Sequence, residues 1–339
     1  MTDARPLFGM LDEPRPGHGL IGVSDPDVHH RDGTWSMFIG AFTTQFVVRI
    51  VEARLPVGAS VADDSWEFVV DRAGRAVELG APSGRRGWDA AGMHTPSYVR
   101  GSVDGREVER IYYAGRSTRK STGPGSRYAI GYLEYRDGAW QRHSGPVLTG
   151  DAARPSALEP FVVHSDGLWR MWFLSAIGEV GRGEQPDYEL RYTESVDGTS
   201  WGAPERFASV EEGFFDNTVF GAPGCWRMVL ARGTNLHGTT PFPSQGLWLT
   251  EGVRAPGGRG SWGPVERLLD TDVGAADWYG AGVCGPAAVV DGDVLHVFAT
   301  GTDVRSWWRA AAGRLRRGRR LPVFAPYFLT TGRFTFHRR

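Results

Sequence analysis

Five stretches of this chain repeat one pattern, and that repetition limits the folds open to it more than any other feature. The clearest copy, EPFVVHSDGLWRMWF at residues 159–173, opens on an acid and a proline. A short apolar run, a Ser-Asp-Gly turn and a second apolar run follow. Two β-prone runs around an Asp-Gly turn form a β-hairpin signal. Related stretches begin at Asp25 (DPDVHHRDGTWSMFIG), Thr95 (TPSYVRGSVDGREVERIYYAG), Asp216 (DNTVFGAPGCWRMVLARG) and Gly285 (GPAAVVDGDVLHVFATG). Their second-position residues, Pro26, Pro96, Pro160, Thr218 (displaced by one residue) and Pro286, lie 70, 64, 58 and 68 residues apart.

A second marker interleaves with the first. Polar turns lead into a tryptophan and then a hydrophobic strand at Trp66, Trp140, Trp201 and Trp262, the last three spaced by 61 residues each. The 47 glycines and 21 prolines supply turns throughout, and long helical patterns are few. The chain therefore reads as all-β, a five-bladed β-propeller of four-stranded antiparallel blades around a central axis. The expected organisation is one domain over residues 1–339, with blades starting near 25, 95, 159, 216 and 285. Residues 321–337 read as closing strands, possible partners for the N-terminus. Each tryptophan is expected in the hairpin between the third and fourth strands, packed between neighbouring units.

Composition restricts the function classes. With 38 basic against 39 acidic residues there is no global field to gather nucleic acid or an anionic membrane. The basic run at residues 314–320 reads as a solvated hairpin turn, because no aromatics are interleaved for base stacking. No apolar run approaches the ~20 residues of a membrane span. The start, MTDARPLFGMLDEPRPG, has no apolar signal segment, so a cytoplasmic location is expected. Cys225 and Cys284 are too few for a disulfide framework and read as buried thiols. No cofactor is expected: GAGVCGP lacks the strand–loop–helix setting of a dinucleotide site, and no nucleophile elbow occurs. No metal site is expected either, since the adjacent His29 and His30 point to opposite faces of a strand.

The chain resembles the five-bladed propeller glycosidases, glycoside hydrolase family 43 and its relatives including family 32. The matching features are Ser24-Asp25-Pro26-Asp27-Val28, the repeated proline–hydrophobic–turn–aromatic units, and Ser195-Val196-Asp197-Gly198 followed by Trp201. The resemblance covers roughly residues 20 to 300. It implies that acids at the starts of the inner strands converge on an axial funnel, where two carboxyl groups flank a glycosidic bond.

Asp25 would be the general base of an inverting enzyme; the alternative is an Asp capping a turn. Glu159 would be the acid or a group that tunes it; the alternative is an ion pair with Arg154. Asp216 falls where family 43 carries its acid Glu, one methylene shorter, so Glu211 or Glu212 could supply the proton instead; a polar turn is the alternative for Asp216-Asn217. Asp89, His94, Tyr98, Arg116, Arg232, Asn235, Trp278 and Tyr279 are candidates to line the pocket. For each of these, packing is the competing reading.

The expected function is a glycoside hydrolase-like enzyme acting on a small glycoside or short oligosaccharide by carboxylate acid/base chemistry. One alternative is a non-hydrolytic biosynthetic enzyme (a cyclase, isomerase or lyase) in the same funnel, using Asp25, Glu159 and His94. The other is a non-catalytic carbohydrate-binding propeller. The partner in every case is a small molecule, a sugar or glycoside in the first.

Overall fold

The computed structural model describes residues 3–11, 17–81, 84, 87–119, 125–178, 187–232, 244–252, 255–271, 277–303, 305–319, 321–325 and 327–337. Strands dominate, and they fall into five units, four of them four-stranded; in the second, two short strands, Ala139–Arg142 and Leu148–Thr149, both pair with the third strand, Tyr128–Arg136. The inner strands are Leu20–Arg31, Gly92–Val103, Ser156–Ser165, Phe214–Phe220 and Val283–Asp291. Each pairs antiparallel with the next strand in sequence. The inner strands neighbour one another in ring order, the fifth returning to the first. The first two sheets are joined by one parallel pairing, Val48 with Gly92. The chain is a β-propeller.

The fifth blade holds the ring together. Its strands Val283–Asp291, Val294–Asp303 and Phe328–His337 come from the C-terminal part of the chain, and its outermost strand, Asp3–Gly9, comes from the N-terminus. Asp3–Gly9 pairs antiparallel with Phe328–His337. Main-chain hydrogen bonds between the two ends of the chain thus close the circle.

Local chemistry explains the hairpins. Asp32-Gly33, Asp104-Gly105 and Asp166-Gly167 each place both residues at positive φ. That geometry matches the right-handed twist of two strands joined by a two-residue turn, and Asp-Gly tolerates it. The second strand of blade three, Leu168–Ala176, is buried at every residue but the first. A neighbouring blade covers each of its faces, so its sequence does not alternate between apolar and polar residues.

The core consists of layers between blades. Distinct apolar clusters fill the five interfaces: blade five with one, one with two, two with three, three with four, and four with five. The repeated tryptophans sit in four of these layers. Trp66 of blade one meets Phe298 of blade five, and Trp140 of blade two meets Phe38 of blade one. Trp201 of blade three meets Tyr112 of blade two, and Trp262 of blade four meets Trp172 of blade three. Each pair is edge-to-face, a favourable aromatic geometry.

Two expectations are corrected. Residues 314–316 of the basic run belong to an α-helix, Trp307–Arg316, inserted between the second and third strands of blade five. Its Arg314 is buried and donates to the Leu11 carbonyl. Cys225 is exposed, although it reads as a buried thiol in the sequence.

Replacing Trp262 with alanine leaves a cavity between blades three and four and removes the indole N–H bond to the Gly257 carbonyl (2.9 Å). The expected loss is about 3–5 kcal/mol, measured by denaturant unfolding. An unchanged midpoint would refute the wedge role.

Candidate active site

Each inner strand carries a β-bulge at the same level in all five blades, and that of blade one has a second register shift between Leu20 and Gly22. The register slips between Ser24 and Asp27, His94 and Ser97, Leu158 and Phe161, Phe214 and Asp216, and Cys284 and Ala287. In four blades the bulge is the residue–proline pair. Asp25, Thr95, Glu159 and Gly285 all adopt positive φ (56°, 47°, 51° and 56°). For Asp, Thr and Glu this conformation costs on the order of 1–3 kcal/mol each and persists only where surrounding structure enforces it. Bulges re-aim side chains, and these meet on the axis. Asp25, Thr95, Glu159, Asp216 and Gly285 line one small axial space. Glycine is required in blade five, because a Cβ on Gly285 would come within 2.7 Å of Asp25 Oδ1.

The three acids share little solvation. Ser24 Oγ donates to Asp25 Oδ2 (2.8 Å), and the Asp25 N–H donates to Thr300 Oγ1 (2.8 Å). The Thr95 hydroxyl bonds the Glu159 carboxyl. The Gly285 N–H donates to Asp216 Oδ2 (2.8 Å), while Asp216 Oδ1 has no partner among the described residues. Burial lifts the Asp25 carboxyl to about 6, against a smaller pull downward from Ser24. Burial and then the charge of Asp25 push Asp216 up to about 8. Glu159 is held well above the usual carboxyl range by burial, then by Asp216 and Asp25. Like charges so close cannot all ionise. At neutral pH the cluster keeps a carboxylate beside protonated carboxyls, and its titration belongs to the group as a whole.

Above the axial space opens a funnel of about 490 Å³. Asp25 and Glu159 reach both spaces, whereas Asp216 lines only the deeper one. His94, Arg116, Tyr128, Tyr188, Phe215 and Cys284 form much of the wall. His94 is kept neutral, well below the ordinary imidazole value, by burial and then by the charges of Arg116 and Arg49. The Cys284 thiol is pushed far up by burial and by the three acids, so it is no thiolate nucleophile.

Of the residues singled out in the sequence, Asp25, Glu159, Asp216, His94 and Arg116 come together here. The others do not reach the funnel. Asp89 is fully buried in blade two, accepting from the Tyr113 hydroxyl (2.8 Å) with Arg142 at 3.8 Å. Tyr98 stacks on Phe38, and its hydroxyl accepts from Arg100 (2.8 Å). Arg232 lies over Trp248 and donates to the Glu212 carbonyl (2.9 Å). Trp278 and Tyr279 pack on Phe334 within blade five. Asn235 lies outside the described residues. Arg154 pairs with Glu189 (2.9 Å) rather than with Glu159. The Glu212 carboxylate accepts from the Ser209 N–H (2.9 Å) in a loop, and neither Glu211 nor Glu212 lines the funnel.

Sequence reasoning missed Thr95, Ser24, Thr300, Tyr128 and Tyr188. Thr95 carried a signal, because it holds the same place in its repeat as Asp25 and Glu159. The tyrosines carried none. Among the described residues no group of three or more His, Cys, Asp or Glu side chains is arranged to hold a metal ion.

No protein-family model matches the sequence, and no curated protein is detectably similar to it. Solved structures do match its fold. A glycoside hydrolase aligns at TM-score 0.61 and 9% identity, over 99% of this chain and 94% of the other. The α-L-arabinofuranosidase from Lactobacillus brevis aligns at TM-score 0.57 and 12% identity, over 88% and 85%. The catalytic domain of the Coprinopsis cinerea family 62 α-L-arabinofuranosidase aligns at TM-score 0.54 and 13% identity, over 97% and 94%. The fold is that of the propeller glycoside hydrolases. The funnel with its acids therefore occupies the centre of a propeller shared with enzymes, at identities that carry the fold alone.

The raised carboxyls tie stability to pH. Between the ordinary aspartate value of 3.8 and the folded value of about 8, the folded state keeps the Asp216 proton that the unfolded chain has released. Asp216 therefore opposes folding increasingly as pH rises through that window. Asp216→Asn, which can still accept from the Gly285 N–H, is expected to raise the unfolding midpoint at pH 8 and to leave it nearly unchanged at pH 4. Equal shifts at both pH values would show that Asp216 is not a desolvated acid.

Proposed function

We propose that the chain is a glycoside hydrolase acting on a small glycoside or short oligosaccharide in the axial funnel. The reading rests above all on one observation: Asp25 and Glu159, whose environments hold them at different protonation levels, face one funnel. Carboxyls whose environments separate their proton affinities are suited to acid and base roles. Asp25, the lower of the two, is the base, and Glu159 is the acid. Asp216 sits deeper, and burial first, then the neighbouring acids, keep Glu159 protonated. This assigns the proton donor to blade three, whereas the family 43 resemblance implies blade four.

In the inverting reaction, Asp25 takes a proton from water as the water oxygen bonds to the anomeric carbon. The glycosidic C–O bond breaks, and Glu159 passes its proton to the departing oxygen. Tyr128 and Tyr188, whose hydroxyls burial chiefly keeps protonated, line the funnel beside the place proposed for the sugar.

Asp25→Asn and Glu159→Gln should each lower kcat/KM on an aryl glycoside at least ~100-fold. The loss in Glu159→Gln should shrink with leaving groups that need no protonation. Wild-type kcat/KM should fall below a pH of about 6, as Asp25 takes up its proton. Full turnover by Asp25→Asn on an identified substrate would refute the assignment. NMR detection of the first anomer released tests inversion.

A second reading is favoured by the upper wall, where Phe42, Phe46, Phe215, Phe324 and Val323 give an apolar, aromatic surface. In it the same acids protonate and deprotonate an apolar small molecule without hydrolysis. Inactivity across an aryl-glycoside panel, together with saturable binding of apolar small molecules in the funnel, would favour this reading over the first.

A further inference from the structure

Arg116 presents a charge that the acid/base reading does not use. It closes the second strand of blade two, Arg106–Arg116, and lines the funnel, yet only 4% of its surface is exposed. A guanidinium taken out of water is costly unless an anion meets it. Among the described residues Arg116 makes no ion pair. Its Nη1 donates to the Arg119 carbonyl at 3.2 Å, and its guanidinium hydrogen-bonds the Tyr128 hydroxyl. Its Nε is buried with no partner among the described residues.

The catalytic carboxyls do not supply the missing anion. They share the funnel, but the causes that set the protonation of Asp25, Glu159 and Asp216 do not include the charge of Arg116. A second unpartnered nitrogen stands beside Arg116. His94 Nε2 is buried without a partner, and His94 is neutral. Both nitrogens border the place where a Cβ on Gly92 would sit, and the glycine keeps that space free. Blade two lies between blades one and three in the ring, so this pair stands between the sectors that carry Asp25 and Glu159.

We infer that Arg116 and His94 form an anion subsite, and that the substrate carries a carboxylate on the sugar held between Asp25 and Glu159, as in a glycosiduronic acid. Arg116 supplies charge and a planar donor fork, and His94 adds a neutral N–H. The neutral ring avoids a second unpaired cation when the funnel is empty. This inference rests on the hydrolase reading for the position of the sugar, but not for the binding of the acid.

The test is calorimetric titration of the intact protein with glucuronate and galacturonate, and with glucose and galactose as neutral counterparts. At least one uronate should bind saturably, about tenfold or more tighter than its neutral counterpart. Arg116→Gln should abolish that difference, and Arg116→Lys should restore part of it, with thermal unfolding confirming that both variants fold. Equal binding of acid and neutral sugars, uronate binding unchanged in Arg116→Gln, or no uronate binding by the wild type would each overturn the subsite.

Hydrolysis of aryl glucuronides and aryl glucosides separates the two claims. Arg116-dependent uronate binding without turnover of either substrate would sink the hydrolase reading and leave the subsite standing. Turnover of glucuronides undiminished in Arg116→Gln would do the reverse.

Discussion

One extra residue in each inner strand is the constraint on which the candidate site depends. A regular strand would point alternate side chains into the layers between blades. The bulge breaks that alternation at one level in all five blades, and the freed residues meet on the axis. In four blades a left-handed residue before a proline performs this turn, and in three of those four the residue is not glycine. Such strain survives only in a rigid frame. The frame comes from the apolar layers between blades, their tryptophan wedges, and the pairing of the two chain ends in blade five.

Convergence has an electrostatic consequence. Three carboxyls brought into a poorly solvated space cannot all stay ionised, so they oppose folding near neutral pH. A structural role would be served as well by neutral side chains, and Thr95 and Gly285 occupy the same position in two other blades. The convergence of three acids at so unfavourable a position is what the proposed acid/base reading draws on.

The wall of the funnel varies in character. Its floor is acidic, its blade-two side carries Arg116 and His94, and its rim is apolar, with Phe46 and Phe324 largely exposed. Phe324 follows the helix inserted in blade five, so part of the rim is supplied by an insertion outside the repeat.

The sequence by itself determined the repeat, and through it the propeller. Interleaved markers report local rules: Asp-Gly turns at positive φ, β-prone runs, and a tryptophan at a fixed place in its unit. Asp25, Glu159 and Asp216 were legible for the same reason, because each opens a repeat and the openings of the repeats meet on the axis. Trp278, Tyr279, Asp89 and Tyr98 were misread, since an aromatic or acid near the start of a blade can face the axis or the neighbouring blade. Only the bulge register and the inter-blade packing decide which. Tyr128 and Tyr188 line the funnel from the first positions of third strands, and no local pattern in the sequence marks them. The protonation of the acids and the lack of an ion pair at Arg116 among the described residues likewise belong to the tertiary structure. Both depend on solvent exclusion and on charges brought close from distant parts of the chain.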